Sequence, residues 1–83
     1  MNNSIEGRIK SVMASVFNLP KDEIQNDSSS DTINSWDSLK HMNLIVGLEE
    51  EFDIEFDNED IGNLLNYELI KIYIKEIMLK KSD

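Results

Sequence analysis

At 83 residues, with 40% hydrophobic and 30% charged side chains, the chain reads as one small globular domain, residues 1–83, with room for a single modest core. It has no cysteine, which excludes disulfides and thiolate metal sites, and no signal pattern or membrane-spanning apolar run, so membrane insertion is excluded and a cytoplasmic location is expected. Seventeen acids against eight bases give a net charge of −9, which repels nucleic-acid phosphate and excludes a nucleic-acid partner.

In chain order, Ile5, Ile9, Val12, Met13, Val16 and Phe17 recur at three- and four-residue spacing and predict an amphipathic helix over residues 4–17. Asn3 is its expected cap, with Glu6 three residues on as in a capping box. Pro20 ends this segment, and "PKDEI" reads as a short turn that returns Ile24 to the core. Residues 25–35, "QNDSSSDTINS", form a long polar loop, of a length usually kept for function, with Ile33 as its apolar anchor.

A second helix is expected from Ser38 to about Phe52, with Asp37 as its N-cap and Leu39, Met42, Ile45, Val46, Glu49 and Phe52 along one stripe. Gly47 inside it costs about 1 kcal/mol relative to alanine, which suits a close approach by another helix or a ligand. "DIEF" is too short for a sheet and reads as an extended link burying Ile54 and Phe56. A short helix in "DNEDIGNLL" buries Ile61 and either Leu64 or Leu65. Asn66 then caps a last helix with a stripe of Leu69, Ile70, Ile72, Tyr73, Ile77 and Met78, and lysines in its later turns suit the helix dipole. The fold class is therefore all-α: a small four-helix bundle of three main helices and one short one, with a long loop between the first two.

Charge is unevenly spread. Residues 41–70 contain no lysine or arginine but hold Glu49, Glu50, Glu51, Asp53, Glu55, Asp57, Glu59, Asp60 and Glu68. Such a run is commonly a solvated face, and it also attracts partners with basic patches. Its alternating acids do not make an EF-hand, because counting from Asp53 the glycine and glutamate positions hold Asn58 and Leu64. No metal site is expected.

The stretch "NSWDSLKHMN" holds the remaining chemistry. Asp37, Ser38 and His41 are the residue types of a hydrolytic triad, and Ser38 and His41 stand three apart on a helix. A triad also needs a separately held acid, an oxyanion site and a pocket, for which a bundle this small has little room. His41, the single histidine, is read instead as a solvent-facing residue near a helix start. Ser38 in a first helical turn would place a phosphate ester against free backbone N–H groups. A plain helix cap satisfies the same residues, and residue chemistry alone leaves the cap and the modified serine open.

"WDSLKHMNLIVGLEEEFDIEF", residues 36–56, resembles the acyl carrier proteins and the related peptidyl and aminoacyl carrier domains. The resemblance rests on Asp37-Ser38-Leu39 opening the second helix, on the Glu49-Glu50-Glu51-Phe52 cluster that follows, and on the element order of nearly the whole chain. It implies that Ser38 receives 4′-phosphopantetheine from coenzyme A through a phosphopantetheinyl transferase, and that the arm's thiol carries acyl groups as thioesters between biosynthetic enzymes. The protein would then be a monomeric shuttle and no enzyme. Recognition would use the second helix, with Asp37, Leu39, Met42, Glu49 and Glu50 facing basic patches on the transferase and on acyl-activating or acyl-transfer enzymes. Val46, Ile61 and Tyr73, with Met42, are candidates to line an acyl cavity, or equally to fill the core.

The chain departs from fatty-acid-synthesis carriers at Ser35-Trp36, Lys40, His41 and Asn43. Trp36 is similar to stand-alone carriers of specialised pathways. An aminoacyl or D-alanyl carrier would use the same serine, and an acidic helical adaptor without a prosthetic group is the alternative from another class.

Overall fold

A computed structural model describes residues 4–81. Its helices are α1 (Ile5–Phe17), α2 (Ser38–Phe52), α3 (Asn58–Ile61) and α4 (Tyr67–Lys81), with a 3₁₀ turn at Lys21–Glu23. No strand forms among the described residues, and the four-helix all-α class holds.

Each helix end has a local cause. Ser4 caps α1, its hydroxyl accepting the Gly7 N–H over 3.0 Å. This displaces the expected cap, Asn3, which lies outside the described residues, and Glu6 reaches across to Lys75 over 2.7 Å. Asn18 ends α1 and Asp53 ends α2, both in the left-handed region at φ 58° and 56°, where short polar side chains are tolerated. Asn66 caps α4 as expected, its Oδ1 accepting the Leu69 N–H over 2.8 Å.

The core gathers Ile9, Met13 and Phe17 of α1, Leu44, Ile45, Leu48 and Phe52 of α2, and Tyr67, Ile70 and Ile74 of α4. Ile24, Ile33, Ile54, Phe56 and Leu64 close it from the connecting segments. Ile24, Ile33, Ile54 and Phe56 are the anchors the sequence pattern indicated, and Leu64 is the buried member of its pair while Leu65 is exposed.

The facing of α2 and α4 corrects the expected stripes. Leu39, Met42 and Val46 point outward, and α2 instead buries His41, Leu44, Ile45, Leu48 and Phe52. On α4, Leu69 and Ile72 are exposed while Tyr67 and Ile74 are buried. Both helices carry apolar residues around more than one face, so periodicity offers two phases, and packing against α1 chooses between them.

Gly47 meets α1: a Cβ there would stand 3.1 Å from Val12 Cγ1, so the glycine permits close helix approach. Arg8, the only arginine, closes the same seam. It donates to the Glu51 carboxylate over 2.8 Å and to the Glu51 carbonyl over 2.6 Å, with its guanidinium 4.3 Å above the Phe52 ring.

The long loop is organised by its own hydroxyls. Ser28 is buried and its Oγ accepts the Gln25 N–H, while Thr32 Oγ1 accepts the Ser29 N–H. A single bridge, Ser29 to Asn66, then ties the loop to the start of α4, with Ser30 N–H on Leu65 O and Tyr67 N–H on Ser28 O, each at 2.9 Å. The tie brings the loop beside the first turn of α2.

Candidate functional site

Asp37 stands just before α2 in extended backbone, and its Oδ1 accepts the Lys40 N–H over 2.8 Å. Ser38 is therefore the first helical residue, and its side chain is exposed. The N–H groups of Ser38 and Leu39 have no carbonyl one turn earlier within the helix, so the positive end of α2 lies at the serine. Leu39 beside it is 69% exposed.

Behind the serine the structure is built on Trp36. Its ring is buried 4.8 Å from Phe17, and its indole N–H donates to His41 Nδ1 over 3.0 Å. Indole nitrogen only donates, so Nδ1 is the acceptor and Nε2 carries the imidazole proton, which goes to the carbonyl of Ile61 at 2.8 Å. His41 is thus buried, contrary to the solvent-facing position expected for it. It joins the turn before Ser38, the first turns of α2 and the end of α3.

This arrangement removes the hydrolytic triad. Both imidazole nitrogens of His41 are engaged elsewhere, so the one histidine cannot serve Ser38 as a base. Nor do three or more acids or histidines cluster as a metal site among the described residues. Beside Ser38 lies an open hollow of about 250 Å³, lined by Ser30, Trp36, Asp37, Ser38, His41 and Leu65.

The other candidate residues divide. Met42 and Val46 continue the outward row begun by Leu39, and Glu50 is exposed beside it. Glu49 is half-buried, and its Oε2 accepts the Phe56 N–H over 2.9 Å, so this acid anchors the Ile54–Phe56 link. Val46 is 48% exposed on the outer side of α2, while Ile61 and Tyr73 are half-buried against the core. Tyr73 spends its hydroxyl on the Asp57 N–H at 3.1 Å. Ser30 and Leu65, which adjoin Ser38, were not legible as site residues, since only the loop's pairing with the α4 start brings them there.

No protein-family model matches the chain. It is similar, however, to the acyl carrier protein of Buchnera aphidicola subsp. Acyrthosiphon pisum (strain Tuc7), at 35% identity over 78 residues, 94% of this chain and 98% of that protein. The chain belongs to the acyl carrier protein family. A second member, from Buchnera aphidicola subsp. Schizaphis graminum (strain Sg), is 39% identical over 62 residues, 75% of this chain and 78% of that one. Acyl carrier proteins are carriers and not enzymes, which agrees with the engaged His41. No helix among the described residues is long and apolar enough to cross a membrane.

Proposed function

We propose that this acyl carrier protein bears 4′-phosphopantetheine on Ser38 and shuttles acyl groups between biosynthetic enzymes in the cytoplasm. The observation that carries the reading is the exposed Ser38 hydroxyl on the Asp37-capped first turn of α2, in a chain of this family.

The residues present fit the group. A phosphodiester on Ser38 would lie at the positive end of a 15-residue helix, and the adjoining hollow leaves room beside the hydroxyl. When attached, the arm supplies a thiol on which acyl groups are held as thioesters. This chain's part is display: Asp37 fixes the helix start, Trp36 and His41 brace the turn behind it, and nothing in the site activates the serine. Activation falls to a phosphopantetheinyl transferase. Asp37, Leu39, Met42 and Glu50 form the face that meets the transferase and acyl-handling enzymes with basic patches, while Glu49 contributes mainly by holding the link to Phe56.

Trp36, with Lys40, His41 and Asn43 around the serine, supports service in a specialised pathway rather than in bulk fatty-acid synthesis. The test is the intact mass of protein isolated from its own host. One phosphopantetheine, absent in Ser38→Ala, is expected, and an unmodified mass with a functionally silent Ser38→Ala would favour a plain acidic adaptor. Loading the holo-protein with activated fatty acids and with D-alanine then separates acyl from aminoacyl cargo.

A further inference from the structure

Apart from Leu79 near the end of α4, the large exposed apolar side chains fall into two groups. One is the α2 row already described. The other lies on α4, where Leu69 is 43% and Ile72 46% exposed, while Leu65 before the helix belongs to the Ser38 hollow. Leu69 and Ile72 stand one helical turn apart and border a hollow of about 160 Å³ floored by Leu64 and Tyr73. Its remaining walls are Asp60, Asn63 and Glu76, so every charged residue in it is acidic.

Two of the α4 lysines are held outside this hollow. Lys75 pairs with Glu6 of α1 at 2.7 Å, and Lys71 pairs with Glu68 at 3.4 Å and lies 5.7 Å from the Tyr67 ring. Lys71 and Lys75 are thus engaged away from the hollow, whose charged rim is Asp60 of α3 and Glu76 of α4.

We propose that this α4 hollow is a second protein-docking surface, one that takes an apolar side chain flanked by lysine or arginine on a partner protein. Charge selects that occupant. A second copy of the chain would bring another acidic surface to Asp60 and Glu76, and an anionic lipid surface would be repelled by the same pair. A basic-flanked apolar anchor buries Leu69 and Ile72 and neutralises the rim. Because the hollow is carried by α4, it leaves the outward row of α2 open to another protein.

The probe is a synthetic amphipathic helical peptide with two leucines one turn apart among lysines, titrated into the ¹⁵N-labelled full chain. The control peptide has glutamate in place of each lysine. The lysine peptide is expected to shift the amides of Leu64, Leu69, Ile72, Tyr73 and Glu76 saturably, and the glutamate peptide is not. Ile72→Ser with Glu76→Lys should weaken binding read at these amides by about tenfold or more, leaving phosphopantetheine transfer to Ser38 at its wild-type rate. Asp60→Lys with Glu76→Lys should do the same without touching the apolar surface, which guards against a folding defect in the first variant. Shifts confined to residues 37–50, or equal binding of the glutamate peptide, would overturn the proposal. So would Ile72-dependent dimerisation, or Ile72-dependent binding to vesicles of anionic phospholipid, in place of peptide binding.

Discussion

The indole N–H of Trp36 donates to Nδ1 of His41 over 3.0 Å, and this contact fixes the proton of the histidine on Nε2, where it meets the carbonyl of Ile61. Two residues five apart in sequence thus tie the turn before Ser38 to the far end of α3. The tryptophan beside the serine is also a structural brace, and the histidine that suggested catalysis completes it.

Trp36→Phe keeps most of the ring and deletes the donor, leaving a buried Nδ1 without its partner. The expected loss is about 1–3 kcal/mol, read as a fall in unfolding midpoint of about 4–8 °C for each kcal/mol. His41 side-chain NMR should report the Nε2–H tautomer in the wild type. An unchanged midpoint together with an Nδ1–H tautomer would remove the brace.

Apart from the α1 cap, expected at Asn3 and found at Ser4, the helix starts and loop anchors were legible in the sequence because single residues decide them. Asp37, Asn66, Pro20 and Ile33 each act through a local rule and stand where that rule puts them. The inward face of α2 was not legible. Leu39, Met42 and Val46 match helical spacing as well as His41, Leu44 and Leu48 do, and only the approach of α1 at Gly47 selects the second set. The same ambiguity hid Ile74, and it misplaced His41, whose polarity suggests solvent while its two hydrogen bonds permit burial. Family membership, read from Asp37-Ser38-Leu39 and the Glu49–Phe52 cluster, did not depend on that choice.

Gly47 gives a test of the α1–α2 seam. Alanine gains about 1 kcal/mol of helix propensity but sets its Cβ 3.1 Å from Val12 Cγ1. The two effects oppose each other, and Gly47→Ala should change stability by under about 1 kcal/mol in urea unfolding. Gly47→Leu overfills the seam and should cost about 1–3 kcal/mol. A leucine variant as stable as the wild type would mean that the helices do not meet closely there.

Neighbouring glutamates should behave differently. Glu49→Ala removes the acceptor for the Phe56 N–H and should cost about 1 kcal/mol of stability. Glu50→Lys leaves stability nearly unchanged, yet should lower transferase kcat/KM by removing an exposed acid from the α2 face. Raising salt should weaken the wild-type interaction through screening. If Glu50→Lys has no kinetic effect and binding ignores salt, the acidic face is a solvated surface alone.

The Glu6–Lys75 pair predicts a small pH effect. The Lys75 hydrogen bond, helped by a backbone hydrogen bond, holds the Glu6 carboxyl below its ordinary value of 4.5. A lowered folded value contributes stability that is present above the unfolded value and lost as pH falls through the folded one. Both side chains are more than a third exposed, at 44% and 42%, so screening keeps the effect small. Lys75→Met should be slightly less stable than wild type near neutral pH, and the two urea midpoints should converge on acidification through the carboxylate range. A constant or widening gap would assign the loss to packing of the lysine stem.

The central claim concerns Ser38, and it is tested most directly by intact mass spectrometry after incubation with coenzyme A, Mg²⁺ and a broad-specificity phosphopantetheinyl transferase. The wild-type protein should gain one phosphopantetheine, mapped to Ser38, and Ser38→Ala should gain none. No gain with several such transferases, or a gain that persists in Ser38→Ala, would contradict the carrier account.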